Sequence, residues 1–263
     1  MNSIKKYTTL LLMLFVTALT ACNKEELNEG KVMHVIVNGY NGSDHELEIT
    51  LDTTVYKKSI RNGDLLIKAR TISTFNRAYV YYTPEAKGQM TVKDLSSGKV
   101  VFSRPLPAKD KADFNFIYLD GKELEIPGIA ANPGSNKLGF YLHYTESNDP
   151  IDIFLYRKDA STGQEYRHYL AKNARPGSWL SVDYVAAADF STVNAMQAAN
   201  LYFTKAGTTD QWAFRDNETL SMTSARSQFF PLAGENGLVQ SYFITPGINQ
   251  LDCARLFFYP GRI

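Results

Sequence analysis

The chain is short of the residues that staple small folds or build metal sites. Its 263 residues hold two cysteines, Cys22 and Cys253, too few for a disulfide framework or a cysteine-rich zinc site. Four histidines, His34, His45, His143 and His168, form no His-x-His or His-x-x-x-His pair. A metal would therefore have to be assembled from distant segments, and neither a metal nor a cofactor is expected. His143 and His168 fall in adjacent expected strands, where two histidines without a third ligand line a sheet. No apolar run reaches the ~20 residues of a spanning helix. An excess of one charge is missing too: 28 basic residues stand against 27 acidic ones. Taking away residues 1–21 removes Lys5 and Lys6 and leaves a net charge of −1, which excludes electrostatic attraction to nucleic acid.

Nucleophile and phosphate motifs are lacking as well. Ser135 follows Pro133-Gly134 and Ser178 follows Pro176-Gly177, but neither has the second glycine of a nucleophile elbow, and both read as turn serines. Gly98-Lys99 lacks the upstream glycine and the hydroxyl of a phosphate loop. Carboxylates are plentiful, so a glycosidase pair remains open. Asn148-Asp149-Pro150-Ile151-Asp152 offers oxygens that suit a turn better than calcium.

What is present begins with an address. A short basic start with Lys5 and Lys6 is followed by an apolar core of ten residues, Leu10 to Leu19, and then small residues. That is the pattern of a cleaved signal peptide over residues 1–21. Leu19-Thr20-Ala21-Cys22 resembles the lipobox of bacterial lipoproteins. The resemblance implies cleavage before Cys22, diacylglycerol on its thiol and an acylated amine, hence a permanent membrane anchor. Asn23-Lys24-Glu25-Glu26 is similar to the export signal of surface lipoproteins in glycan-utilising bacteria. This implies an outer-membrane protein facing the cell exterior; read from the residues alone, 22–30 is a polar tether.

The rest is rich in tyrosine (16) and phenylalanine (15), and it alternates with a period of two. Leu47, Ile49 and Leu51 interleave with polar neighbours, as do Met90 and Val92, and Leu180, Val182 and Tyr184. Such alternation predicts half-buried strands. Val32–Val37, Phe114–Leu119 and Ile151–Tyr156 are apolar on nearly every position and predict strands interior to their sheets. Hairpins are expected at Asp94–Lys99, Asp159–Gln164 and Lys205–Thr209, each with small polar residues and a glycine. The only helical signal is the alanine-rich stretch Val185–Asn200.

Two Pro-Gly pairs, Pro127-Gly128 and Pro133-Gly134, mark a linker or crossover near the middle. The expected organisation is a β-sandwich over 31–128, a linker over 129–136 and a second sandwich over 137–263. The halves rhyme: Leu47–Leu51 with Ile151–Leu155, the Gly98 hairpin with the Gly207 hairpin, and Phe114–Gly121 with Gln228–Gly234. Asn132-Pro133-Gly134, a strand and then Pro150–Leu155 give a layout similar to tandem immunoglobulin-like domains of bacterial surface lipoproteins. The resemblance implies an all-β, two-sandwich fold and carries no activity.

Candidate binding residues are aromatics near loops: Trp179, Trp212 and Tyr144, with Tyr79, Tyr81, Tyr82 and Tyr141 beside them. A ring next to Asp, Asn or Gln can cover a pyranose face while the polar groups take its hydroxyls. The same rings would also fill a sandwich core. The expectation is thus a non-enzymatic, lipid-anchored envelope module with a glycan or protein partner. The alternatives are a structural or adhesion subunit, and a carboxylate-based glycoside hydrolase.

Overall fold

A computed structural model describes residues 30–59, 63–82, 88–224 and 229–257. The expected signal peptide, Cys22 and all of the tether before Gly30 lie outside the described residues. Strands dominate: β1 (Lys31–Asn41), β2 (Leu47–Leu51), β3 (Thr54–Tyr56), the two-residue β4 (Lys58–Ser59) and β5 (Gly63–Asp64), β6 (Thr71–Tyr81), β7 (Gln89–Asp94), β8 (Val100–Pro105), β9 (Lys111–Leu119) and β10 (Lys122–Glu123). They continue with β11 (Asn136–Leu142), β12 (Ile151–Lys158), β13 (Glu165–Ala174), β14 (Trp179–Tyr184), β15 (Asn200–Lys205), β16 (Val239–Pro246) and β17 (Leu251–Arg255). The alanine-rich stretch yields only a single 3-10 turn, Ala188–Phe190, and the five-residue helix α1, Val193–Gln197, capped by the Thr192 hydroxyl on Ala195 N–H. No helix among the described residues is long and apolar enough to cross a membrane.

The architecture is the expected pair of sandwiches. In the first, sheet β10-β9-β1-β6 faces sheet β3-β2-β7-β8. Met33, Val35 and Val37 of β1 meet Leu47, Ile49 and Leu51 of β2 and Met90 and Val92 of β7 between them. In the second, sheet β14-β11-β16-β17 faces β13-β12-β15, around Leu138, Phe140, Ile153, Leu155, Phe203 and Tyr242. Connections follow one plan in both. The first strand, β1 or β11, pairs antiparallel with β6 or β14 and parallel with the late strand β9 or β16. The next strand, β2 or β12, crosses to the opposite sheet and pairs with β7 or β15. In antibody constant domains the first two strands share a sheet; here they do not.

This plan refines the rhyme between the halves. Leu47–Leu51 and Ile151–Leu155 are equivalent strands, and the Gly98 and Gly207 turns follow equivalent strands. The counterpart of Phe114–Leu119 is β16, however, not the segment matched to it, whose described residues 229–234 precede β16 as a loop. Aromatic composition misled the comparison there.

The two sandwiches stack back to back. Tyr40, Ile117 and Leu119, on the outer face of the β1 sheet, pack against Tyr141, Phe243 and Ala254 on the outer face of the β11 sheet. Tyr40 stacks on Phe243 at 4.6 Å, and Tyr141 on Phe243 at 5.7 Å. The molecule is therefore four sheets deep. Its two inner sheets are covered on both faces where they meet, at Tyr40, Ile117 and Leu119, which is why Phe114–Leu119 carries so few polar residues, whereas the outward side of the start of β1 stays open and Val32 is 54% exposed. Asn132-Pro133-Gly134-Ser135 closes a tight turn, with Asn132 Oδ1 accepting from Gly134 N–H at 3.0 Å, and β11 opens directly at Asn136.

Candidate functional site

Four-layer stacking leaves two outward sheet faces, and their chemistry differs. Position for position, one row across the first outer sheet is Val55, Thr50, Thr91, Ser103. The equivalent row across the second is Tyr169, Phe154, Tyr202, Met222. A polar pair, Thr50–Thr91, thus stands where the second half has Phe154–Tyr202. The first framework closes with threonines at this pair, whereas in the second Phe154 is fully buried and Tyr202 is 8% exposed, beneath Arg167 and a crossing segment.

The rings touch in sequence. Phe154 lies 5.3 Å from Tyr169 and 5.8 Å from Tyr202, while Tyr202 lies 5.1 Å from Tyr156 and 5.6 Å from Trp212. Trp212 reaches the row because the second half replaces a full edge strand with a long crossing segment. That segment meets β15 only at single bridges, Thr204 with Trp212 and Tyr202 with Met222. An open cleft of about 240 Å³ results, with Tyr156, Tyr202 and Trp212 as walls and Glu165, Asp210 and Glu218 at the rim.

Electrostatics hold these groups in place. The Arg167 guanidinium lies 4.2 Å over the Phe154 ring and donates to the Thr209 carbonyl at 3.0 Å, strapping β13 to the crossing segment. Burial, with Glu218 beside it, pushes the Tyr202 phenol up to about 12, so it stays a donor to that carboxylate. Burial likewise raises Tyr156, whose hydroxyl donates to Glu165. Glu165 itself is held below the ordinary carboxylate range by Lys158 and by that hydroxyl.

Of the three binding residues singled out from the sequence, the fold brings only Trp212 to this cleft. Trp179 is half-buried at the seam, its indole N–H donating to the Glu125 carbonyl at 2.9 Å and its ring 5.4 Å from Tyr141. Tyr144 is buried in the second core, 4.5 Å from Phe214, with its hydroxyl on Glu146 at 3.3 Å. Only its edge reaches a separate polar hollow of about 270 Å³ beside Arg215 and Asp216. Another hollow, of about 570 Å³ beside Arg104, Asn115 and Glu123, has no aromatic wall.

Other sequence candidates separate. His143 stacks on Phe243 in the seam, and His168 packs beside Phe190; they lie on different sheets and do not meet. Desolvation lowers both imidazoles. Among the described residues no group of three His, Cys, Asp or Glu side chains is placed to hold a metal. Ser135 donates to Asp183 and Ser178 to the Arg175 carbonyl, both as turn residues. Burial pushes the Cys253 thiol up to about 12, so it is no nucleophile.

Phe154, Tyr156, Tyr202 and Arg167 were not singled out from the sequence. A signal for the first was available, since the matched strands Leu47–Leu51 and Ile151–Leu155 carry Thr50 and Phe154 at the same position.

The chain matches no family model and no curated protein. Solved structures similar to it include a family 26 carbohydrate-binding module from Eubacterium rectale in complex with maltoheptaose, at 15% identity over 87% of this chain and 98% of that one, with a TM-score of 0.23. Family 41 carbohydrate-binding modules from streptococcal virulence factors align at 9% identity over 83% and 96%, with a TM-score of 0.24. A streptococcal ancillary pilin aligns at 7% identity over 78% and 62%, with a TM-score of 0.18. Scores this low fall short of a shared fold, and the architecture above rests on the chain's own strand pairing.

Proposed function

We propose that this protein is a non-catalytic binding module for a glycan, anchored to the outer membrane through Cys22 and facing the cell exterior. One observation supports the binding reading: Trp212 and Tyr156 stay part-exposed in an open cleft over the buried Phe154–Tyr202 pair, where the equivalent pair of the first sandwich is Thr50 and Thr91. Rings beside carboxylates suit a pyranose, whose C–H face packs on the ring while its hydroxyls donate to the rim. Chemistry on the sugar has less support. The cleft is open, and Glu165, held ionised, is a poor proton donor for a glycosidic oxygen.

The anchor rests on Leu19-Thr20-Ala21-Cys22, and the outward face on Asn23-Lys24-Glu25-Glu26. Replacing Cys22 with Ala should move the protein from the membrane to the soluble fraction; continued membrane retention would refute the anchor. For the binding reading, a glycan array followed by titration calorimetry should find a saccharide that loses affinity in Trp212→Ala and keeps it in Trp179→Ala.

A further inference from the structure

We propose that the open end of the first sandwich, at Val32, Val80 and Tyr82, rests on the lipid surface to which the chain is anchored. This rests on the Cys22 anchor and adds the surface by which the body meets the membrane. Along the outward side of β1 exposure falls to 1% at Ile36, so only the start of the strand is uncovered. There Val32 pairs in antiparallel register with Val80, which is 48% exposed. Side chains so paired are direct neighbours on one face of the sheet. Tyr82, 61% exposed, joins them at Gly30. A Cβ on Gly30 would lie 3.0 Å from Tyr82 Cε1 and 3.2 Å from Val80 Cγ1, so the Gly30 backbone runs against both side chains. Exposed apolar residues scattered singly are ordinary, whereas a group at one strand end is the pattern of a contact surface.

The chain that leads to this group identifies its partner. Cys22 and Gly30 are eight residues apart, and eight residues reach at most about 28 Å when fully extended. An acyl group on Cys22 therefore holds the patch within that distance of the lipid headgroups, at a high effective concentration. A second copy or a soluble protein would have to reach it by diffusion. Lipid interfaces take up tyrosine rings and aliphatic side chains together. Lys31, exposed at the first position of β1, adds an ammonium that suits lipid phosphates.

The test places a fluorophore at the patch of the full chain, acylated at Cys22 and bound to phosphatidylethanolamine–phosphatidylglycerol vesicles with nitroxides near the headgroups. Ala78→Cys puts the label on an exposed position two residues from Val80. Leu95→Cys puts it in the exposed turn after β7, at the opposite end of the same sandwich. Neither native cysteine competes, because Cys22 is acylated and burial pushes the Cys253 thiol up to about 12. The label at position 78 should be blue-shifted and quenched by the nitroxides, and the label at 95 should be neither. Val80→Asp with Tyr82→Asp should abolish the quenching at 78 while the protein stays on the vesicles and keeps its urea midpoint. Equal quenching at both positions, none at 78, or quenching unchanged in the double variant would overturn the proposal and leave the anchor standing. So would a blue shift at 78 that grows with protein concentration in Cys22→Ala without lipid, since the patch would then join two copies. Failure of the Cys22 chain to stay on the vesicles would bring down the anchor itself, and this proposal with it.

Discussion

At Asp94 and Asp159 a single carboxylate oxygen collects two backbone N–H groups. Asp94 Oδ1 accepts from Ser96 and Ser97 at 2.8 Å each, and Asp159 Oδ1 accepts from Ser161 and Thr162 at 2.9 Å each. Gly98 and Gly163 then take the positive φ the turn requires. Both hairpins were legible in the sequence because all their partners lie within a few residues. The two tryptophans were not, because their roles depend on partners far along the chain: Trp179 bonds to Glu125, and Trp212 sits against Tyr202. His143 belongs to this scale as well. Desolvation in the seam depresses its folded pKa below the ordinary 6.5. The unfolded chain therefore binds more protons in that window, and the stabilisation is complete above 6.5 and lost as the pH falls through the folded pKa. Urea midpoints measured on either side of that window should fall on acidification, and His143→Phe should fall less. An equal loss in the variant would show that the ring is solvated.

Elements were read well where burial alone decides them. The three runs apolar on nearly every position became β1, β9 and β12, each interior to its sheet. The one short helix expected in the alanine-rich stretch Val185–Asn200 is present as α1, preceded by a 3-10 turn. What alternation could not show is which outward face carries rings. That became visible only through register, which sets Thr50–Thr91 and Phe154–Tyr202 in the same place. Register also explains Gly39, which pairs in parallel with Phe116. A Cβ there would come within 2.4 Å of the Phe116 ring and carbonyl. Overpacking at such a contact costs about 1–3 kcal/mol. Gly39→Ala should lower the urea midpoint correspondingly, and an unchanged midpoint would mean that β1 and β9 can separate without cost.

The whole molecule is held at its seam by rings. Phe243 is fully buried between Tyr40, Tyr141 and His143. Truncating a buried Phe costs about 3–5 kcal/mol. Calorimetry should show one transition for the wild-type chain and two for Phe243→Ala, as each sandwich retains its own core. A single transition in the variant would mean that the sandwiches are coupled by something other than this stack. The pair of sandwiches was legible in the sequence, whereas their back-to-back packing was not, since it joins side chains that no local period relates.

Titration of the full chain with array-selected glycans, beside Trp212→Ala and Trp179→Ala, tests the central claim most directly. The account predicts a saccharide whose affinity collapses in Trp212→Ala with the fold intact and is unchanged in Trp179→Ala. Equal binding by all three proteins would contradict it and return the aromatic row to the role of a covered sheet face.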